Sequence, residues 1–399
     1  MAKITVVDSI MGSGKTSWAL QHINESRTDK KYIYITPYLD EVQRVINSSV
    51  SRKFIEPNNN NSEGRKLRSL KELIIAGHDI CATHSLFQSA DDELLELLTG
   101  AGYTLILDEV MNVIDRAPID KGDIELLTNQ GYVEVRDNRV YWTKEDYNGR
   151  FEDIKLYARS GNLFLHRKTF ILWAFPPKIF SAFDDVYVLT YLFDAQIQRY
   201  YYDLHEMGYT YKSITKSDGR YELAEYSREN ERREEVMKLI DLYAGQLNDF
   251  ADRRNALSTS WLDKAPEATI NLIKRNVYNY FRNYCKSKTK DVLWTTIKKK
   301  EAKLRGKGYT KGFIPVNTRA TNDYADRWAL AYVYNRYMNP FERAFFEDNG
   351  VSVNEELLAV SDLLQWVWRS RIRNGQSIKL YLPSSRMRGL LKAWEKYEI

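Results

Sequence analysis

Gly12-Ser13-Gly14-Lys15-Thr16-Ser17 is a glycine loop that ends in a lysine and two hydroxyls. Glycines in such a loop let backbone N–H groups curl around phosphate oxygens, and a helix starting at its end adds the positive pole of its dipole. Lys15 would reach the β- and γ-phosphates, and the Thr16 hydroxyl would sit on Mg²⁺. The six residues Gly12 to Ser17 are therefore expected to bind the phosphates of a nucleotide, with Thr16 shared by the metal. Ser9 stands where such loops usually open with glycine, and the competing reading is an ordinary glycine turn before a helix. A second group, Asp108-Glu109, closes the apolar run Tyr103–Leu107. Asp108 would hold Mg²⁺, and Glu109 would orient and polarise the attacking water. Two acids after a strand often only cap a helix. About ninety residues beyond a phosphate loop, they read as the hydrolytic pair.

Two further groups are basic. Leu358 to Arg373 has a helical pattern in which Gln365, Arg369 and Arg373 are four apart and share one face. Arginines so placed would neutralise charge on a γ-phosphate, whereas a surface basic helix would do nothing of the kind. Arg371 would point to roughly the opposite side. From Lys286 to Lys311 lysines recur, with Lys298, Lys299 and Lys300 consecutive and Trp294 and Tyr309 interleaved. Such a stretch suits phosphate-backbone contact with base stacking; the alternative is a solvated lysine face.

These groups need a frame. Ile4–Val7, Tyr32–Ile35, Asp79–Thr83 and Tyr103–Leu107 read as strands, separated by helical patterns. That alternation predicts an α/β fold with a parallel sheet covered on both faces. Ligands then sit at the carboxyl ends of the strands, where the glycine loop, Thr36, Thr83 and Asp108 all fall. Residues 121–150 break the alternation: Val133–Arg136 and Arg139–Trp142 flank Asp137-Asn138 as a small hairpin. It reads as a surface insertion, with a wedge or nucleic-acid contact as the alternative. Thr169–Trp173 is a strand ending in Ala174–Pro177, and Asp185–Thr190 starts a new strand pattern. The expected boundary is therefore near Phe183, giving domains 1–183 and 184–399. The second would carry a mostly helical basic insertion at 225–305. Ala329–Tyr337 reads as a helix stopped by Asn339-Pro340. Ser377–Leu382 and Ser385–Tyr397 read as a closing strand and helix.

Composition sets the class. With 43% hydrophobic and 28% charged residues, the 399-residue chain has the make-up of a soluble globular protein of two or three domains. A net charge of +5 permits an anionic partner without demanding one. Two cysteines cannot build a disulfide framework and point to a reducing compartment. No apolar run reaches membrane-spanning length, and a strand starts at once, so neither a membrane nor a signal peptide is expected. The expected location is the cytoplasm.

In order along the chain, MGSGKT (Met11–Thr16), ITP (Ile35–Pro37), ATH (Ala82–His84), DEVM (Asp108–Met111), AFPP (Ala174–Pro177) and QWVWRSRIR (Gln365–Arg373) resemble the motifs of superfamily-two, DExx-box helicases. The stretch from Asn317 to Pro340 resembles small helicases of tailed bacteriophages. The resemblance implies two RecA-like P-loop domains and an ATP-dependent DNA helicase or translocase using ATP and Mg²⁺. A phage-encoded member would act in the host cytoplasm, in DNA replication among other processes, on single-stranded or forked DNA and beside other replication proteins. Carried over by residue, Glu109, Gln365, Arg369 and Arg373 are catalytic, and Thr16 and Asp108 hold the metal. Thr36, Pro37, Thr83 and His84 contact nucleic acid from the first domain, with Lys298–Lys300 as a further contact. Trp368 stands where the last motif usually has glycine, and Ala174–Pro177 stands where a Ser-Ala-Thr coupling motif is usual. No glutamine-based adenine motif fits ahead of the first strand. Two other readings are an ATP-switched nucleic-acid-binding protein, such as a replication loader, and the ATPase of a packaging motor.

Overall fold

The computed structural model of the chain describes residues 2–167, 170–316 and 323–399. Thr169 and Asn317–Asn322, the head of the stretch resembling phage helicases, lie outside the described residues. The chain divides into two compact units. The first comprises the residues up to Ser9, Ser13–Tyr226 and Asn339–Val353; the second comprises Ile10–Gly12, Ser227–Met338 and Asn354–Ile399.

In the first unit, β1 (Lys3–Asp8), β2 (Lys31–Thr36), β3 (Phe54–Ile55), β4 (Asp79–Thr83) and β5 (Tyr103–Asp108) come in turn. β6 (Ile114–Arg116), β7 (Val133–Arg136), β8 (Arg139–Trp142), β9 (Leu163–His166) and β10 (Phe170–Ala174) form a separate sheet in the order β6-β10-β9-β8-β7. β11 (Asp185–Thr190), β12 (Tyr209–Ser217) and β13 (Arg220–Glu225) then rejoin the first sheet. That sheet runs β13-β12-β1-β11-β5-β2-β4-β3 and is parallel except for the β12–β13 hairpin. Its central strands are buried along their length and read as largely apolar runs: every residue of β5 is buried, as are Ile4–Asp8 of β1. The helix Lys15–Glu25 covers one face with Trp18, Ala19 and Ile23.

β11 overturns the expected boundary near Phe183. It lies between β1 and β5 and pairs with both, so the first unit's main sheet is incomplete without residues 185–190. Continuous with it, the unit extends to Tyr226 and takes in Asn339–Val353 as well. In that last segment Asn339 does not stop a helix but starts one: its side chain accepts from the Phe341 amide at 3.0 Å, with Pro340 at the first helical position. The helix Pro340–Asp348 is pinned to the end of β9 by Arg167, which donates to both Asp348 carboxylate oxygens at 2.7 Å, with His166 Nε2 3.2 Å from the same carboxylate.

The hairpin at Asp137-Asn138 is as the sequence predicts. β7 and β8 pair antiparallel with Arg136 opposite Arg139, and both turn residues have positive φ (48° and 62°). It is the edge of a five-stranded sheet rather than an isolated insertion.

In the second unit, β14 (Ile240–Leu242), β15 (Val292–Thr295), β16 (Ala329–Tyr332) and β17 (Ile378–Tyr381) form a parallel sheet in the order β14-β17-β16-β15. The stretch 225–305, expected as an insertion, supplies two of these four strands, so it is part of the domain's body. β16 replaces the helix expected over Ala329–Tyr337; all four of its residues are buried, and a wholly apolar run carries no helical period. Both units are thus α/β, each built on a mainly or wholly parallel sheet, and the first also carries the antiparallel sheet β6–β10.

Candidate nucleotide-hydrolysis site

Parallel strands in register put their carboxyl ends along one edge. Asp8 pairs with Thr190, Leu189 with Asp108, Ile35 with Leu107, and Thr36 with Thr83. The glycine loop follows Asp8 on that edge. Gly12 and Gly14 hold φ of 81° and 98°, a left-handed region that side chains strain to enter. Gly14 is the residue before the helix that starts at Lys15. Ser9, in the place of the usual first glycine, has work of its own: its hydroxyl accepts from the Ile214 amide at 2.8 Å, joining the loop to β12. The Lys15 ammonium donates to the Ser9 carbonyl at 2.5 Å.

The Thr16 hydroxyl donates to Asp108 Oδ2 at 3.0 Å, and the Tyr34 hydroxyl donates to the same oxygen at 2.8 Å. Burial, and then the neighbouring Glu109, raise the Asp108 carboxyl above the usual range, while Tyr34 and Thr16 pull it back. Glu109 has a φ of 69°, unusual for a side chain of its size, and its amide donates to the Leu189 carbonyl at 2.9 Å. The turn so made sends Glu109 off the end of β5, half-exposed beside the fully buried strand.

The residues fit Mg²⁺ and a polyphosphate. Thr16 and Asp108 offer two hard oxygens at hydrogen-bond distance, and no cluster of three or more His, Cys, Asp or Glu occurs among the described residues. Mg²⁺ is typically held by one or two carboxylates together with substrate phosphates, which suits that sparse set. The Ser13 hydroxyl, inside the loop, is buried with no hydrogen-bond partner, a donor suited to a phosphate oxygen. Ser17 is exposed on the first turn of the helix.

Three groups were not legible as site residues. Tyr34 is a strand residue in an apolar run, and only its hydroxyl reaching Asp108 reveals its role. Asp8 is buried and accepts from the Leu192 and Phe193 amides at 2.9 Å each, holding the turn after β11. Thr190, wholly buried at the end of β11, lies between the loop strand and the acid strand. The AFPP run assigned to coupling leaves β10 of the antiparallel sheet, with Phe175 buried among Phe87 and Phe180.

Of the first unit's expected nucleic-acid contacts, Thr36 and His84 are buried, while Pro37 and Thr83 are half-exposed. Thr83 also caps a short helix by accepting from the Leu86 amide.

The arginine segment differs from expectation. The helix runs Glu355–Val367, Ser370 is extended, and Arg371–Asn374 is a separate 3₁₀ turn. Gln365, Arg369 and Arg373 therefore do not share one helical face. Gln365 is buried, with its amide 3.5 Å from the Ser361 hydroxyl. Arg369 is half-exposed and Arg373 exposed. Arg371 is committed within its own unit: its Nε donates to the Ser377 carbonyl at 2.6 Å, and its guanidinium lies 5.7 Å from the Trp328 ring centroid. Arg371→Ala is expected to leave nucleotide turnover within about threefold of wild type and to cost about 1 kcal/mol of stability, the worth of one hydrogen bond. Turnover assays and urea unfolding check this; a loss of turnover without a loss of stability contradicts it.

Lys298–Lys300 form a short 3₁₀ turn just past the end of β15. Lys298 bonds Glu301 at 2.6 Å, Lys300 pairs with Asp263, and Lys299 is exposed.

Residues 234–395 match the family described as the YonV C-terminal Rossmann-like domain, and residues 114–173 match the YonV middle domain. The second match covers β6 to β10 almost to its last residue. Over 406 aligned residues the chain is 42% identical to the SPbeta prophage-derived protein YonV of Bacillus subtilis (strain 168), covering 99% of both chains. Among solved structures it is similar to Xpd4 of S. tokodaii, with a TM-score of 0.50 at 10% identity, covering all of this chain and 94% of that one. A weaker likeness, TM-score 0.38 at 12% identity over 48% of the other chain, is to the DUF1998 helicase MrfA bound to DNA and AMPPNP. The Xpd4 likeness places the chain in a helicase-like fold of two RecA-like domains.

Proposed function

The chain belongs to the family of the prophage protein YonV, and on that premise we propose that it is an ATPase that couples hydrolysis at the phosphate loop to movement along, or unwinding of, DNA. The observation that carries the reading is the convergence, at one sheet edge, of Lys15, the Thr16–Asp108 pair and the left-handed Glu109. Loop amides and Lys15 hold the β- and γ-phosphates, Lys15 exchanging the Ser9 carbonyl for phosphate oxygens. Thr16 and Asp108 hold Mg²⁺, which when bound neutralises charge on those oxygens. Glu109 accepts the hydrogen bond of the attacking water and polarises it. Arg369 and Arg373 are the second unit's candidates for countering charge on the transferring phosphoryl group. Pro37 and Thr83, with the lysines after β15, are the proposed nucleic-acid contacts. A phage-encoded helicase in DNA replication, acting in the host cytoplasm, is the narrower form of this proposal. The prophage origin of the relative agrees with it. No helix among the described residues is long and apolar enough to cross a membrane.

Replacing Lys298, Lys299 and Lys300 together by Gln is expected to weaken DNA binding and flatten its salt dependence. Removing one lysine–phosphate pair lowers the slope of log affinity against log salt by about 0.7–0.9. Because two of the three lysines already have carboxylate partners, one or two such pairs with DNA are expected, a drop of about 0.7–1.8. An unchanged slope means a solvated face.

Strand separation tests the function. On a forked duplex, wild-type protein is expected to separate the strands with ATP and not with a non-hydrolysable analogue. ATP-dependent retention of single strands without separation would replace the motor by an ATP-switched binding protein.

A further inference from the structure

We infer that the β12–β13 hairpin is the wall against which the nucleotide base lies, with Tyr221 as its stacking surface and with little power to tell adenine from guanine. The inference rests on the nucleotide reading proposed above. Direction comes from the sheet. β5, carrying Asp108 and Glu109, lies beyond β11 on one side of β1, while β12 and β13 lie on the other. The γ-phosphate end of a triphosphate is set by Thr16, Asp108 and Glu109. Its ribose and base therefore run the other way, toward the hairpin.

Tyr221 waits on that side. Its ring lies so close to Gly14 that a Cβ there would overlap it, and it is only partly buried. Lys216 stands opposite Tyr221 in the hairpin register and is exposed. Its ammonium lies 5.2 Å from the Tyr221 ring centroid, which adds positive charge to the same wall.

The wall is bolted to the phosphate-binding helix. Gln21 Nε2 donates to the Tyr221 carbonyl at 3.2 Å, and the Tyr221 amide donates to Gln21 Oε1 at 3.1 Å. Arg220 pairs with Glu25 at 2.5 Å. These bonds hold the ring in place, and they also settle selectivity. Gln21 has the side-chain amide that would read a base edge, yet both of its ends are taken by backbone. What the wall then offers is the aromatic face with the exposed Lys216 ammonium beside it, and stacking tolerates any base.

Titration calorimetry with ATP, GTP and inorganic tripolyphosphate, each with Mg²⁺, tests this on wild type and on Tyr221→Ala, Tyr221→Phe and Lys15→Ala. Wild type is expected to bind ATP and GTP within about threefold of each other, since stacking is base-tolerant. Tyr221→Ala should weaken both by roughly five- to a hundredfold, the range for losing one base–aromatic stack. Tyr221→Phe, which keeps the ring, should restore them. Tripolyphosphate should bind wild type and Tyr221→Ala equally, because it has no base to stack. Unchanged ATP binding by Tyr221→Ala overturns the inference. So does an equal loss of tripolyphosphate binding, which would make the ring a buttress of the loop. A preference for ATP over GTP beyond a hundredfold overturns the selectivity claim. If wild type binds none of the three, or Lys15→Ala binds them as wild type does, it is the nucleotide reading itself that fails.

Discussion

Lys15→Ala is expected to abolish ATP turnover and most ATP binding while leaving the fold intact. Lys15 is the first residue of its helix, and its ammonium donates to the Ser9 carbonyl. Alanine there is an excellent helix former, so the helix Lys15–Glu25 and the β1 strand lose almost nothing. What disappears is a positive charge at an anion site and a donor aimed at the phosphoryl group in the transition state. Loss of one such donor commonly costs about a hundred- to a thousandfold in rate, and the missing charge adds weaker binding. Turnover and nucleotide titration, with circular dichroism as the fold check, measure it. Wild-type turnover in this variant would mean that Gly12–Ser17 is a glycine turn and nothing more.

Glu109→Gln separates binding from chemistry. Glutamine keeps the length and hydrogen-bonding reach of glutamate but cannot take a proton or polarise water as a carboxylate does. It enters the left-handed conformation at position 109 no worse than glutamate, so the turn after β5 persists. Hydrolysis should fall by about a hundred- to ten-thousandfold, the usual contribution of a positioned base. ATP affinity should stay within about threefold, because Lys15, Thr16 and Asp108 are untouched and Glu109 acts chiefly in the transition state. Trapped with ATP, the variant should release single-stranded DNA more slowly than wild type. If ATP binding vanishes together with hydrolysis, Glu109 serves the fold rather than the reaction.

What the sequence made legible was local. The loop glycines need positive φ, the runs ending in Thr36, Thr83 and Asp108 are mostly apolar with buried centres, and Asp137-Asn138 is a turn pair. Each signal lies within a few residues of the feature it predicts. The failures are long-range or lack local punctuation. β11 joins β1 and β5 across long stretches of chain, and nothing in Asp185–Thr190 says which sheet will take it. Read as the start of something new, it displaced the boundary. Asn339-Pro340 can end one helix or begin the next, and the buried strand before it removes the first option. At the arginines, neither Gly nor Pro marks the break after Val367; a buried, extended Ser370 makes it, bonding back to the Val367 carbonyl at 2.7 Å. A continuous register through Arg373 was therefore the natural reading and the wrong one. The pairing of Tyr34 with Asp108 spans 74 positions and was beyond any window of spacing.

The most direct measurement is the steady-state ATPase rate of the wild-type protein with no nucleic acid, with single-stranded DNA, with blunt duplex and with a forked duplex. A nucleic-acid motor should turn over ATP slowly alone and at least about tenfold faster with single-stranded or forked DNA, one decade being about 1.4 kcal/mol off the barrier. The same rate under all four conditions, at any absolute value, would contradict coupling between the phosphate-loop site and nucleic acid.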